Sequence, residues 1–81
     1  PWPDAQRVAA QRGVFEQALP DVPWFQQMLT RHGFAPQTSG VLDEATRRTL
    51  SAFQMRFRPA KFDGAPDAET AALLHVLVTP P

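Results

Sequence analysis

Cysteine is absent from the chain, so neither a disulfide nor a thiolate metal site is available, and the redox compartment stays open. No apolar run approaches the roughly 20 residues that cross a bilayer. The chain opens Pro1-Trp2-Pro3, without Met or a signal pattern, and is expected to be a processed product or a piece of something longer. Charge of one sign is not in excess. Eight basic and eight acidic residues give a formal net charge of zero, which argues against a dedicated nucleic-acid binder. Histidine is scarce. A catalytic zinc takes three protein ligands, whereas His32 and His75 are alone and fall on different predicted helices. No Ser-His-Asp arrangement, phosphate-cradling loop or HExxH is present. With 81 residues the chain makes one domain at most, and a chain of this size buries only roughly 60% of its unfolded surface. It can fold, but it cannot also enclose a large catalytic cavity.

What is present is organised around Gly40 to Pro59. Asp43 is a good N-cap, and Glu44 adds negative charge where the helix dipole is positive. Thr46, Leu50, Phe53 and Phe57 recur at helical spacing as one apolar stripe. Pro59 ends the helix and pushes Arg58 out of the α region. The spacing predicts a helix over 44–57. Its start is repeated: Gly40-x-x-Asp43-x-x-Thr46-x-x-x-Leu50 matches Gly64-x-x-Asp67-x-x-Thr70-x-x-x-Leu74, 24 residues on.

Elsewhere, Asp21 caps a helix that has Pro23 in its first turn, an apolar face from Trp24, Phe25, Met28 and Leu29, and Gly33 as a left-handed stop. Phe34 can fold back on it, and Ala35 to Ser39 is a loop. Asp63-Gly64 marks a turn before a last helix over about 68–78, with Leu73, Leu74, Leu77 and Val78 buried and Thr79-Pro80-Pro81 as its end. Upstream, Asp4 caps a short helix that Gly13 would stop, followed by a connector to Pro20. That helix forms only if Val8, and Trp2 with it, docks on something. No strand is convincing. The predicted fold is all-α: a small three-helix bundle over 21–79 with long loops, and a linker or N-terminal extension over 1–20.

These residues resemble the peptidoglycan-binding domain, a three-helix module of bacterial cell-wall enzymes. Phe25-Gln26-Gln27-Met28-Leu29 through Gly33-Phe34 corresponds to its first helix. Gly40 to Thr46, Ala52-Phe53-Gln54, and Asp63-Gly64 through Thr70 to Leu74 correspond to the motifs that follow, so the likeness covers about 21 to 78. Ser39 departs from the pattern where it has Asp, Asp43 and Asp67 where it often has Gly, and His32 where Leu is usual. Phe53-Gln54-Met55-Arg56-Phe57-Arg58-Pro59, with Asp67-Ala68-Glu69-Thr70, is similar to the C-terminal module of zinc-dependent N-acetylmuramoyl-L-alanine amidases. Trp2-Pro3-Asp4 with Arg7-Val8 is similar to the segment that joins it to their catalytic domain.

The resemblance implies a non-catalytic module that targets an attached amidase to peptidoglycan, in the bacterial envelope or periplasm, with outer-membrane association left open. No cofactor is expected in this chain; zinc belongs to the absent catalytic domain. Expected partners are peptidoglycan, through its sugars or stem peptides, and that catalytic domain. Arg suits stem-peptide carboxylates, because its planar fork donates two parallel hydrogen bonds. Between Ala45 and Phe62 stand Arg47, Arg48, Arg56, Arg58 and Lys61 with no acid among them. At about 100° per residue, Arg47, Ser51, Gln54 and Arg58 share one stripe, and Arg56 lies roughly 160° from Arg58. Candidate ligand-binding residues are Arg47, Gln54, Arg58, Phe62 and Asp63. Gln54 has a second reading as a tie for loop backbone, and Phe62 as core. Arg58→Ala is expected to weaken wall binding with little loss of stability. Two other readings compete: a domain that docks on its own catalytic domain, marked by an exposed apolar patch at Trp2 or Phe15, and nucleic-acid binding through the basic run.

Overall fold

Each helix begins at an aspartate. Asp4, Asp21, Asp43 and Asp67 stand in extended backbone, and each side chain accepts from first-turn N–H groups, at 2.8, 3.1, 2.8 and 2.9 Å for the shortest bond of each. A cap of this kind is worth about 1 kcal/mol. The computed structural model describes residues 3–35 and 38–79. The helices are α1 (Ala5–Gln17), α2 (Val22–Arg31), α3 (Glu44–Phe57) and α4 (Ala68–Val78), with no strand among the described residues. At the end of α2, Gly33 takes φ +102°, and the Phe34 N–H turns back to the Leu29 carbonyl at 2.9 Å. The Phe34 ring then lies 5.8 Å from that of Phe53.

The expected stop at Gly13 does not occur. α1 runs through it to Gln17, so the bundle has four helices rather than three. A mid-helix glycine costs about 0.5–1 kcal/mol. Continuing the helix sets Phe15 two turns beyond Val8 on the face that packs against the core. Phe15 meets Trp24 edge-on at 5.3 Å and His75 at 6.0 Å. That aromatic contact offsets the glycine. Trp2, Pro36, Pro80 and Pro81, which carried readings above, lie outside the described residues.

α4 is apolar on nearly every side, and such a helix belongs inside. Thr70, Ala71, Ala72, Leu73, Leu74 and Val76 are buried, and the helix packs against α1 and α2 while α2 also meets α3. Phe25, Met28 and Leu29 of α2, Leu50 and Phe53 of α3, and Leu73 and Leu74 of α4 meet in one cluster. Large apolar side chains of this kind contribute about 1.5–3 kcal/mol each on leaving water. Phe57 packs on the rim.

Candidate functional site

Two buried glutamines hold the two long loops. The Gln54 carbonyl accepts from the Gly64 N–H at 2.9 Å, and its amide donates to the Ala65 carbonyl at 2.9 Å and Thr70 Oγ1 at 3.0 Å. Gln26 does the same one loop earlier. It accepts from the Gly40 N–H at 3.0 Å and donates to the Val41 carbonyl at 3.2 Å and Thr46 Oγ1 at 2.8 Å. Each clasp uses the carbonyl and both N–H groups of one amide. Gly40 and Gly64 both take positive φ, +82° and +77°. Their surroundings differ. A Cβ on Gly64 would sit 2.6 Å from the Arg47 carbonyl oxygen, whereas one on Gly40 meets only Pro23 Cγ, at 3.9 Å. Asp43 is held below the usual carboxylate range by hydrogen bonds, first from Ser39 and then from Thr46.

The stripe 47-51-54-58 braces the second loop along its length. Ser51 Oγ donates to the Phe62 carbonyl at 2.7 Å. Arg58 donates to the Lys61 carbonyl from Nε and Nη2, at 2.9 and 2.7 Å. Its Nη1 donates to both Asp67 oxygens, at 2.9 and 2.8 Å, and to Glu69 at 3.2 Å. Burial pushes the Asp67 carboxyl up, but hydrogen bonds from Thr70 and Arg58 and the Arg58 charge outweigh it, so the net shift is downward. The loop turns Phe62 outward, half exposed. Asp63 Oδ1 accepts from the Ala65 N–H at 3.0 Å, and its other oxygen lies 3.7 Å from Lys61 Nζ. The basic run is largely engaged: Arg48 pairs with Glu44 at 2.8 Å and Arg56 lies over the Phe57 ring at 5.5 Å. Arg47 is exposed, and its guanidinium has no partner among the described residues.

A trough runs between α1 and the start of α4. Its apolar end, about 440 Å³, is walled by Val8 and Ala9 of α1, Phe57 and Leu73. Its charged end, about 320 Å³, holds Arg58, Lys61 and Asp67. Arg12, Glu16 and Glu69 line both parts and join them. Arg12 pairs with Glu16 at 3.2 Å and with Glu69 at 3.7 Å; Arg12 and Glu16 are about half exposed and Glu69 less so.

The histidines serve packing. The His32 ring lies 5.8, 5.7 and 5.5 Å from those of Phe34, Phe53 and Phe57, and its buried Nδ1 has no hydrogen-bond partner among the described residues. Burial, and then the Arg56 charge, push its pKa below the ordinary value. His75 stands edge-on to Phe15. Neither belongs to a group of three or more His, Cys, Asp or Glu side chains placed to hold a metal, among the described residues. The described residues therefore offer no zinc ligand set. No helix among the described residues is long and apolar enough to cross a membrane.

Residues 19–74 match the model of the peptidoglycan binding domain family. The chain belongs to that family. It is 36% identical over 78 residues to the N-acetylmuramoyl-L-alanine amidase AmiD of Escherichia coli K12, covering 95% of this chain and 28% of AmiD. The crystal structure of AmpDh3 from Pseudomonas aeruginosa superposes with a TM-score of 0.84 at 37% identity, over 95% of this chain and 30% of AmpDh3. A complex of E. coli AmiD with the substrate anhydro-N-acetylmuramic acid-L-Ala-D-γ-Glu-L-Lys gives 0.76 at 34% identity, over 96% of this chain and 30% of AmiD. This peptidoglycan-binding domain therefore spans less than a third of the length of these relatives.

Within the domain, the candidate residues divide by burial. Gln54 is fully enclosed, with its amide spent on Gly64, Ala65 and Thr70. The Arg58 side chain is only 11% exposed, and three acceptor groups hold it. Arg47, Phe62 and Asp63 are exposed around the loop that those two fix. Gln26 carried no role in the sequence reading, although Phe25-Gln26 repeats as Phe53-Gln54. The trough went unforeseen because residues 1–20 were expected to be an extension and not a helix packed along α4.

Proposed function

We propose that this chain is a non-catalytic module that holds an attached N-acetylmuramoyl-L-alanine amidase on peptidoglycan, in the bacterial envelope and on its periplasmic side. The observation that carries this is the family match over 19–74, set within amidase similarity over 95% of the chain. Holding an enzyme on its polymer raises its local concentration without altering its chemistry. Wall polymer offers sugar faces, alanine methyls, free carboxylates and, in the peptide of the AmiD complex, a lysine ammonium. Phe62 presents an apolar ring face suited to the C–H face of a sugar. Arg47 presents a free fork for a carboxylate, and Asp63 an acceptor for hydroxyls. Gln54 and Arg58 act behind them by fixing the loop.

Co-sedimentation of the chain with purified sacculi across a salt series tests this reading. Binding should fall as salt screens Arg47, and Phe62→Ala and Arg47→Ala should each weaken it. No sedimentation at any salt would sink the proposal. It would favour docking on the attached catalytic domain, a second reading supported by Val14 near the end of α1 and Leu19 just past it, which are 56% and 54% exposed.

A further inference from the structure

We infer that the trough between α1 and the start of α4 receives the stem peptide of the wall polymer. The inference rests on the wall-binding reading and gives it a second contact surface, separate from the Phe62 face. Three observations lead to it. The family match begins at residue 19, beyond the end of α1 at Gln17, whereas the amidase similarity covers 95% of the chain. The wall that completes the trough thus lies outside the general family pattern and inside the likeness to amidases.

Second, the lining is graded along its length. Val8, Ala9, Phe57 and Leu73 make one end apolar, Arg12, Glu16 and Glu69 stand at the middle, and Lys61 and Asp67 stand at the far end. A stem peptide is graded in the same order. It has an alanine methyl near the sugar, then a γ-linked glutamate with a free α-carboxylate, then a diamino acid with an ammonium and a carboxylate. The methyl suits the apolar end and the glutamate carboxylate suits Arg12. The ammonium suits the Glu16 carboxylate, and the terminal carboxylate suits Lys61; Glu69 stays bound to Arg58 as part of the fixed wall. A trough with both signs of charge fits a ligand with both signs better than it fits a bare glycan or a polyanion.

Third, the charges differ in how firmly they are held. Arg58 is almost enclosed and bound to Asp67, so it forms a fixed wall. Arg12 and Glu16 are each about half exposed, and Lys61 lies 3.7 Å from Asp63 with its side chain 65% exposed. Exposed pairs of this kind hold weakly. Ligand groups can replace them without unpairing a buried charge.

The test is an NMR titration of the ¹⁵N-labelled chain with the tripeptide L-Ala-γ-D-Glu-L-Lys, and in parallel with chitotetraose as a glycan probe. Saturable shifts are expected with the tripeptide at the amides of Val8, Ala9, Arg12, Lys61 and Glu69. Glu16→Gln and Lys61→Ala should each weaken tripeptide binding about two- to fivefold, the scale of one exposed ion pair, while the melting temperature shows that both variants are folded. Tripeptide shifts confined to Arg47 and Phe62, or shifts with chitotetraose alone, would overturn the assignment. If sacculi sediment the chain but the tripeptide moves no trough amide, the trough proposal fails and wall binding stands. If sacculi do not bind either, both fail together.

Discussion

Three glycine-to-alanine substitutions should give three different results, because the same added methyl meets three different surroundings. At Gly40 the backbone is left-handed (φ +82°), but the nearest atom to a new Cβ is Pro23 Cγ at 3.9 Å, an ordinary contact. Only the conformational cost applies there, about 1–2 kcal/mol. At Gly64 the φ is similar, +77°, but the Cβ would stand 2.6 Å from the Arg47 carbonyl oxygen. Either α3 or the loop must shift, and overpacking of this kind adds about 1–3 kcal/mol. At Gly13 nothing lies within 4 Å and φ is helical, so alanine should stabilise α1 by about 0.5–1 kcal/mol. For a chain of this size each kcal/mol moves the melting temperature by about 4–8 °C. Gly40→Ala should therefore melt about 4–15 °C lower than the parent, Gly64→Ala clearly lower again, and Gly13→Ala a few degrees higher. Urea and thermal unfolding followed by circular dichroism at 222 nm give all three values. Equal losses at Gly40 and Gly64 would refute the argument that the close approach to α3 matters. A loss at Gly13 would refute an unbroken α1.

Gln26→Leu and Gln54→Leu should each cost about 2–4 kcal/mol in urea unfolding, because each strands a glycine N–H, a carbonyl and a threonine hydroxyl. Arg58→Ala, expected from sequence to be nearly neutral for stability, should instead cost about 1–3 kcal/mol; Asp67 keeps 29% exposure, which holds the loss below that of a fully buried pair. Because the folded-state pKa of His32 is lowered, the neutral ring is the one the fold prefers. Its contribution is complete above pH 6.5 and is lost as pH falls through the lower folded value. Melting temperatures at pH 7.5 and pH 5 should differ less in His32→Leu than in the parent. The depressed Asp67 acts on the same principle lower down: its contribution is present above the ordinary aspartate value of 3.8 and fades below it, so Asp67→Asn should flatten the acid limb of stability.

The later helices were legible because their signals are local. An aspartate cap and a proline just past the end each act within one turn, and α3 and α4 begin and end where those signals place them. α1 was only half legible. Gly13 reads locally as a stop, and it is overruled by Phe15 reaching Trp24 and His75, a contact between segments far apart in the chain. The clasps were half legible for another reason. The Gly-Asp-Thr-Leu part repeats at 24 residues, whereas Phe-Gln repeats at 28, because Gly64 follows Gln54 by 10 positions and Gly40 follows Gln26 by 14. A single repeat length therefore hides Gln26 as the partner of Gln54. For the candidate site, periodicity placed Arg47, Ser51, Gln54 and Arg58 on one stripe. It did not show how the loop folds onto that stripe: Gln54 takes its second reading, as a tie for loop backbone, and Arg58 turns to Asp67 and Glu69 instead of outward.

α3 takes part in both clasps: its Thr46 receives Gln26, and its Gln54 reaches forward to Thr70. A relay that passes from one helix to the next has no stop of its own, and stacked arrays generally need a terminal unit with a polar outer face. α4 offers no third clasp. Val78 stands eight residues after Thr70, as Gln54 stands eight after Thr46, and valine has no amide to hold a further loop. α1 packs along α4, pinned by Arg7 Nη2 donating to the Thr79 carbonyl at 2.6 Å. The chain's first helix thus covers its last, and the glutamine clasps run through two loops, from α2 to α3 and from α3 to α4.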